Sequence, residues 1–374
     1  MPKLRFRSLA IEDKDWLVET ANDPEVAKYA ISVYPITEHE VEESLKKELE
    51  EGKGKQIVAE VDGKPAGSVS LWLRDGSARD RHIAWLGIHV RRRYWGKGVG
   101  SRLMKEAIKF AKESGCRRLM LGTTEGNERA IRLYQKFGFK TEALENEEVY
   151  IDGVWRKNYI MGLDLAQCEP KANLSFASQT LRAKVHLSAK SKESVRTRQL
   201  MTGDLDEVNR LQNCPESTKS SSRIPPITKE ETKRWYETIN TEKGKYCFAY
   251  FKDGMVLGYL HFRAYRLPFP CLKFEEIIVD VNQEPYQTAK ALTSAIKEFM
   301  KRYWYQRIFA YVPETSAAII DALEENGFSK TGAMKCYFYI DGCYVDSAIY
   351  EYPPQTTHFT KNKIVSAKSA RITH

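Results

Sequence analysis

Three arginines, three glycines at alternate positions and an amphipathic run stand together in RRRYWGKGVGSRLMKEAIKFA, Arg91 to Ala111. Gly96, Gly98 and Gly100 allow the backbone to turn tightly and to present successive N–H groups. The following run carries Leu103, Met104, Ala107, Ile108 and Ala111 on one face, with Gly115 placed as a stop, and predicts a helix over 101–114. A helix start adds unpaired N–H groups and the positive end of its dipole. With Arg91, Arg92, Arg93, Lys97 and Arg102 around it, the chemistry of such a nest is the cradling of a pyrophosphate. It is not a Walker A loop, because no Gly-Lys-Ser/Thr follows. It also lacks the early position and the acidic ribose ligand of a dinucleotide-binding βαβ unit. Taken alone, a glycine-rich turn is also a plain connection in many proteins.

The elements that would position this loop can be read locally. KQIVAEVDGKPAGSVSLWL predicts two strands joined by a turn at DGKP, Asp62 to Pro65, and HIAWLGIHV predicts a further strand ending at Val90. RRLMLGTT is a strand after the first helix. A second helix is expected from Asn127, with Ala130, Ile131 and Tyr134 at helical spacing and Gly138 as its stop. VYIDGVWRKNYIMGL closes as a hairpin around Asp152-Gly153. Strand meander, helix, strand, helix and hairpin make an α+β fold built on one sheet.

The pattern occurs twice. LRFRSL at Leu4 returns as VRTRQL at Val195, PIT at Pro35 returns at Pro226, and Gly63 and Gly67 return as Gly254 and Gly258, all at an offset of 191. GF at Gly138 returns at Gly327 and YIDG at Tyr150 returns at Tyr339, at an offset of 189. Residues 1–165 and 195–353 therefore read as two copies of one domain. Residues 166–194, rich in Ser, Ala and Lys, read as a linker, and 354–374 as a basic flexible tail. The net charge of +9 resides mostly in those two segments, so a folded nucleic-acid-binding face is not expected. No apolar run has membrane-spanning length and the N-terminus has no apolar leader core, so a cytoplasmic protein without a membrane partner is expected. The seven cysteines are scattered without a CxxC pair, which predicts free thiols and no metal site.

YWGKGVG together with EGNERAIRLYQKFGF resembles the GNAT superfamily of acetyl-CoA-dependent N-acetyltransferases over residues 1–165. The first segment resembles the family's pyrophosphate loop between its fourth strand and third helix. The second places Asn127, Ala130, Leu133, Tyr134, Gly138 and Phe139 where the family has them. The departure is Trp95, where Arg or Gln is commoner; YWGKG is similar to the branch holding ribosomal-protein and polyamine acetyltransferases. The resemblance implies two tandem GNAT-like domains, each a mixed, mostly antiparallel sheet flanked by helices. It implies acetyl-CoA as co-substrate, no metal, and an amine acceptor: a small amine, a polyamine or a protein N-terminus. The two copies would pack as an intramolecular pseudo-dimer.

By the same resemblance, the backbone of Ile88, His89 and Val90 holds the pantetheine arm. Trp95, Gly96, Lys97, Gly98, Val99, Gly100, Ser101 and Ala130 form the rest of the cofactor site. Asn127 binds pantetheine or caps its helix. Tyr134 matches the general acid that protonates the departing thiolate, although a tyrosine at that spacing is otherwise a core aromatic. The family's usual base positions hold Trp85 and Gly122 here. Glu125 is the best remaining carboxylate, with His82, His89 or a water chain as alternatives. Cys116 reads as structural, which implies direct attack in a ternary complex and no acyl-enzyme. The acid-rich segment 11–60, with Asp23, Glu38, Glu40 and Glu42, either attracts a cationic acceptor or forms a solvated helix with Glu42–Lys46 and Glu43–Lys47 pairs. A non-catalytic acyl-CoA-binding or scaffolding protein is the competing reading.

The second copy carries QEPYQT, Gln283 to Thr288, where the loop should be. Glu284, Tyr286 and Thr288 replace the three glycines, Pro285 has no N–H to donate, and Ser316 and Leu323 replace Asn127 and Tyr134. The second copy is thus expected to lack the acetyl-CoA site.

Overall fold

A computed structural model of the chain describes residues 3–29, 35–51, 54–73, 79–151, 154–166, 195–221, 223–265 and 270–353. The expected linker, the tail and the tip of the Asp152-Gly153 hairpin lie outside the described residues. The first half runs β1 (Leu4–Ser8), α1 (Lys14–Ala21), α2 (Pro24–Ala27), α3 (Glu38–Glu51), β2 (Gly54–Val61), β3 (Lys64–Leu73) and β4 (Ile83–Val90). It continues through α4 (Val99–Glu113), β5 (Arg118–Thr124), α5 (Glu128–Lys136), β6 (Lys140–Ile151) and β7 (Val154–Asp164). The second half repeats the order with a 3-10 turn (Ser217–Ser220) in place of α2: β8 (Val195–Gln199), α6 (Leu205–Gln212), α7 (Lys229–Thr241), β9 (Lys245–Lys252), β10 (Met255–Tyr265) and β11 (Cys271–Val279). Then follow α8 (Pro285–Arg302), β12 (Arg307–Pro313), α9 (Ala317–Glu325), β13 (Ser329–Ile340) and β14 (Cys343–Tyr352). This is the α+β architecture expected from the sequence.

The duplication reaches individual hydrogen bonds. Arg7 grips Asp13 through two N–H groups at 2.7 and 2.8 Å, and Arg198 grips Asp204 at the same two distances. The side-chain amide of Asn22 bonds both ways with the backbone of Ile36 at 2.8 Å, as Asn213 does with Ile227. The Asp-Gly turns at Asp62-Gly63, Asp253-Gly254 and Asp341-Gly342 all have both residues at positive φ, the geometry that lets a two-residue turn follow the twist of its strands.

The strands form one sheet in the order β1-β2-β3-β4-β5-β7-β6-β13-β14-β12-β11-β10-β9-β8. Replacing each strand by its repeat partner reverses that order onto itself, so the halves meet edge to edge at β6 and β13. The pairing there is Gly332 against Ala143, and a Cβ on Gly332 would lie 2.5 Å from the Ala143 Cα. Only glycine permits that approach. Around it, the Glu142 carboxylate accepts from the Lys335 N–H at 3.0 Å and the Asn146 amide donates to Glu351 at 3.0 Å.

Two features of the first half matter for the site. The helix α4 buries Leu103, Met104, Ala107 and Ala111 completely against the sheet. Each large side chain so buried contributes roughly 1.5–3 kcal/mol, which fixes the start of α4 relative to β4. The second feature is a fork. β4 and β5 pair in parallel only from Ile83↔Arg118 to Trp85↔Met120. Beyond that point Leu86–Val90 and Leu121–Thr124 diverge, leaving inner strand edges without a ladder partner among the described residues.

Candidate active site

The glycines of the loop do different work. Gly98 has φ +79° and caps α4 in the left-handed region, and Gly96 has φ +72°. Among the described residues no atom lies within 4 Å of a Cβ built on either, so both face open space there. The N–H groups of the first turn, Val99, Gly100 and Ser101, have no intrahelical carbonyl and point the same way. Gly100 serves packing instead: a Cβ there would lie 3.2 Å from the Leu133 Cδ2 on α5. The Trp95 indole donates to the Val90 carbonyl at 2.7 Å, and the Arg129 guanidinium stacks 3.8 Å over its ring. Trp95 therefore ties the loop to the end of β4 and to the start of α5.

The arginines are not all where the charge pattern suggested. Arg91 is buried and turned away from the loop, donating to the Pro65 carbonyl at 3.2 Å and to the Glu19 carboxylate. Arg92 lies 4.0 Å from Asp23, and the Lys97 ammonium sits 5.7 Å over the Tyr94 ring.

A cavity of about 1350 Å³ begins at this loop and runs along the fork into the second half. It is lined by Ile88, His89, Val90, Trp95, Gly96, Gly98, Val99, Gly100, Ser101, Asn127, Ala130 and Tyr134; Lys97 is not on its wall. The Val90 carbonyl, taken by Trp95, marks the edge of β4 that faces the fork. Tyr134 is 6% exposed, its ring tilted against Phe139 at 6.0 Å. Burial raises its pKa well above the usual phenol value, so the hydroxyl keeps its proton throughout the physiological range. Asn127 caps α5, its side-chain oxygen accepting from the Ala130 N–H at 3.4 Å.

The structure does not bring the candidate bases Glu125 and His82 to the cavity. The Glu125 carboxylate turns back to accept from the Lys157 N–H at 3.3 Å, while its own N–H donates to the Lys157 carbonyl at 2.8 Å. His82 is buried between the halves, with Nε2 2.8 Å from the Cys336 carbonyl and its ring edge-on to Tyr344. Burial lowers its pKa. His89 is exposed on the cavity wall. The acidic residues of 11–60 have local tasks: Asp23 caps α2, Glu40 accepts from the Thr37 N–H at 2.7 Å, and Glu38 and Glu42 pair with Lys14. Glu42 also pairs with Lys46 as expected, and Glu43 lies 3.8 Å from Lys46.

Among the wall residues that sequence reasoning missed are Glu145, Asn158, Lys273 and Tyr311. Glu145 and Asn158 face each other across β6 and β7, and the Asn158 amide donates to the Glu145 carboxylate at 2.7 Å. The other carboxylate oxygen accepts from the Lys273 ammonium at 3.1 Å and from the Tyr311 hydroxyl. Asn158 also explains Gly122, since a Cβ there would lie 3.2 Å from its side-chain oxygen. A side chain at 122 would have to displace the Asn158 amide. The available cue was that Glu145 and Asn158 stand where the repeat has Met334 and Ser347.

In the second half, the helix α8 starts differently. Glu284 holds the left-handed position, φ +49°, with its carboxylate 2.7 Å from Lys252, and Pro285 is the first helical residue. Leu323 fills the core where Tyr134 stands in the first half.

A model of the acetyltransferase (GNAT) family matches residues 18–139, and a model of the GNAT acetyltransferase domain matches residues 198–349. The chain belongs to the GNAT acetyltransferase family. It carries two GNAT domains in tandem and is an N-acetyltransferase. It is similar to the L-amino acid N-acetyltransferase AaaT of Escherichia coli, 29% identical over 163 residues that span 41% of this chain and 97% of the relative. It is also 27% identical over 157 residues to the spermidine N(1)-acetyltransferase of Escherichia coli, spanning 41% of this chain and 81% of that protein. A solved GNAT-family acetyltransferase from Streptococcus pneumoniae is 32% identical, with a TM-score of 0.38, covering 44% of this chain and all of that one. Among the described residues no helix of this GNAT chain is long and apolar enough to cross a membrane.

Proposed function

We propose that residues 1–165 bind acetyl-CoA and transfer its acetyl group to a primary amine, and that residues 195–353 bind none. The observation that carries this reading is the continuous cavity, which begins at the start of α4 and runs along the open edges of β4 and β5 past the buried hydroxyl of Tyr134. The amides of 98–101 hold the pyrophosphate, since no Cβ obstructs Gly96 or Gly98. The fork edge of β4 offers strand-like hydrogen bonds to the amide groups of the pantetheine arm. The amine nitrogen attacks the thioester carbon and the carbon–sulfur bond breaks. The sulfur takes the Tyr134 proton, and the amine's own proton leaves to His89, Glu145 or water. The named activities of the relatives, on an amino acid and on spermidine, support an amine acceptor.

In the second half, Glu284 puts a side chain held by Lys252 where the first half has a glycine, and Pro285 removes one of the helix-start donors. Full-length protein incubated with acetyl-CoA and a panel of amino acids, polyamines and short peptides is expected to release thiol in an amine-dependent manner. Equal release with and without amine, or none with any amine, overturns the reading.

A further inference from the structure

Resting on acetyl transfer in this cavity, we propose that the Glu145–Lys273 ion pair, one partner from each half of the chain, is the acceptor-recognition site, and that it takes a small amine bearing its own carboxylate.

The pair is built to be kept in one place. The Glu145 side chain is 2% exposed and is fixed by Asn158, Tyr311 and Lys273. Lys273 is 24% exposed, with its ammonium 5.2 Å from the Phe309 ring, and reaches the wall from β11 of the second half. Burying a carboxylate with an ammonium gains little over packing apolar side chains of similar size. The repeat supplies the comparison within the same molecule. The position equivalent to Glu145 is Met334, at the offset of 189. The position equivalent to Lys273 is Trp85, since both are third in the short parallel ladders of β4–β5 and β11–β12. Met334 and Trp85 line the same cavity. The junction is thus closed by an apolar pair on one side and a charged pair on the other. Joining the halves does not require the charges, and both charged groups face the cavity.

The charges along the whole cavity wall narrow the ligand. The acids on the described wall are Glu25, Glu128 and Glu145, of which Glu25 pairs with Lys28 at 2.6 Å and only Glu145 is buried. Lys28, Arg129, Arg132, Lys136 and Lys273 make the wall basic on balance. A polyamine, with several ammonium groups and no anion, meets that wall unfavourably. A ligand with one ammonium and one carboxylate fits between the partners. Its ammonium takes the place of Lys273 on Glu145, its carboxylate takes the place of Glu145 on Lys273, and no charge is left without a counterion. Trp72 and Trp85 on the same wall offer apolar surface to a side chain.

The test uses the full chain, acetyl-CoA, and three acceptor classes: free L-amino acids, the corresponding amino acid amides, and spermidine. The free amino acid is expected to exceed its amide in kcat/KM by about tenfold or more, the effect of one charge-assisted contact of roughly 1.4 kcal/mol. Lys273→Met should erase that ratio, because the amino acid loses the contact to its carboxylate and the amide has no such contact to lose. Glu145→Gln should raise KM for both. Should Glu145→Gln fail to fold, the half-buried Lys273→Met variant carries the test. An amide or spermidine acetylated as well as the amino acid, or an unaltered ratio in Lys273→Met, overturns this inference while leaving acetyl transfer standing. Absence of turnover with every acceptor overturns both.

Discussion

Gly98→Val is expected to weaken acetyl-CoA binding by about a hundredfold or more while the domain stays folded. Two effects combine at this position. The backbone has φ +79°, so any side chain there is strained by roughly 1–2 kcal/mol. That alone lowers stability without abolishing folding. The larger effect is local: the isopropyl group stands in the open space over the helix-start amides, where the pyrophosphate must approach closely. Losing that approach removes several charge-assisted hydrogen bonds together, at about 1.4 kcal/mol per tenfold in affinity. Gly63→Val separates the two effects. Gly63 also has positive φ, +75°, and open space around its Cβ position, but it lies at the tip of the β2–β3 hairpin. It should cost similar stability and leave acetyl-CoA affinity intact. Calorimetric affinities equal to wild type in folded Gly98→Val would remove the loop from the account.

Tyr134→Phe is expected to lower kcat by about 10²–10⁴ and to leave acetyl-CoA affinity nearly unchanged. The ring packs against Phe139 and the hydroxyl is all that the variant loses, so ground-state contacts survive. What disappears is a proton donor needed when charge develops on sulfur, worth roughly 3–5 kcal/mol of transition-state stabilisation. Burial raises the Tyr134 pKa. The acid form therefore persists above the usual phenol range near 10, and wild-type activity should not fall there through loss of this proton. The rise of rate with pH should instead follow deprotonation of the acceptor amine. Stopped-flow single turnovers in the variant and wild type separate the chemical step from binding. A wild-type rate in Tyr134→Phe would leave the tyrosine as a core aromatic.

Most of the scaffold was legible because the signals that specify it are local. The Asp62-Gly63 turn, the apolar face of α4 and the stops at Gly115 and Gly138 each depend on a few neighbouring residues, and each of these formed. The start of α4 fell two residues earlier than the periodicity indicated, at Val99, because Gly98 sets it by adopting the left-handed cap rather than by any apolar spacing. The duplication was legible because the offsets of 191 and 189 preserve buried pairs as well as turns. The loop, Asn127 and Tyr134 lie along one cavity because they follow β4 and β5 directly. The candidate base fared differently. Where the Glu125 carboxylate points is decided by β7, through Lys157, 32 residues away. Glu145 gains its meaning from Lys273 and Tyr311, at separations of 128 and 166 residues and in the other half of the chain. No pattern within one copy encodes a contact between copies.

The most direct single measurement is a crystal structure of the full chain with acetyl-CoA bound. The account predicts one molecule per chain, with its pyrophosphate on the amides of 98–101 and its pantetheine arm along the fork edge of β4. The sulfur should lie within hydrogen-bond reach of the Tyr134 hydroxyl, about 3–4 Å, and nothing should occupy the start of α8. A cofactor seated between β11 and β12, or a sulfur out of reach of Tyr134, would contradict it.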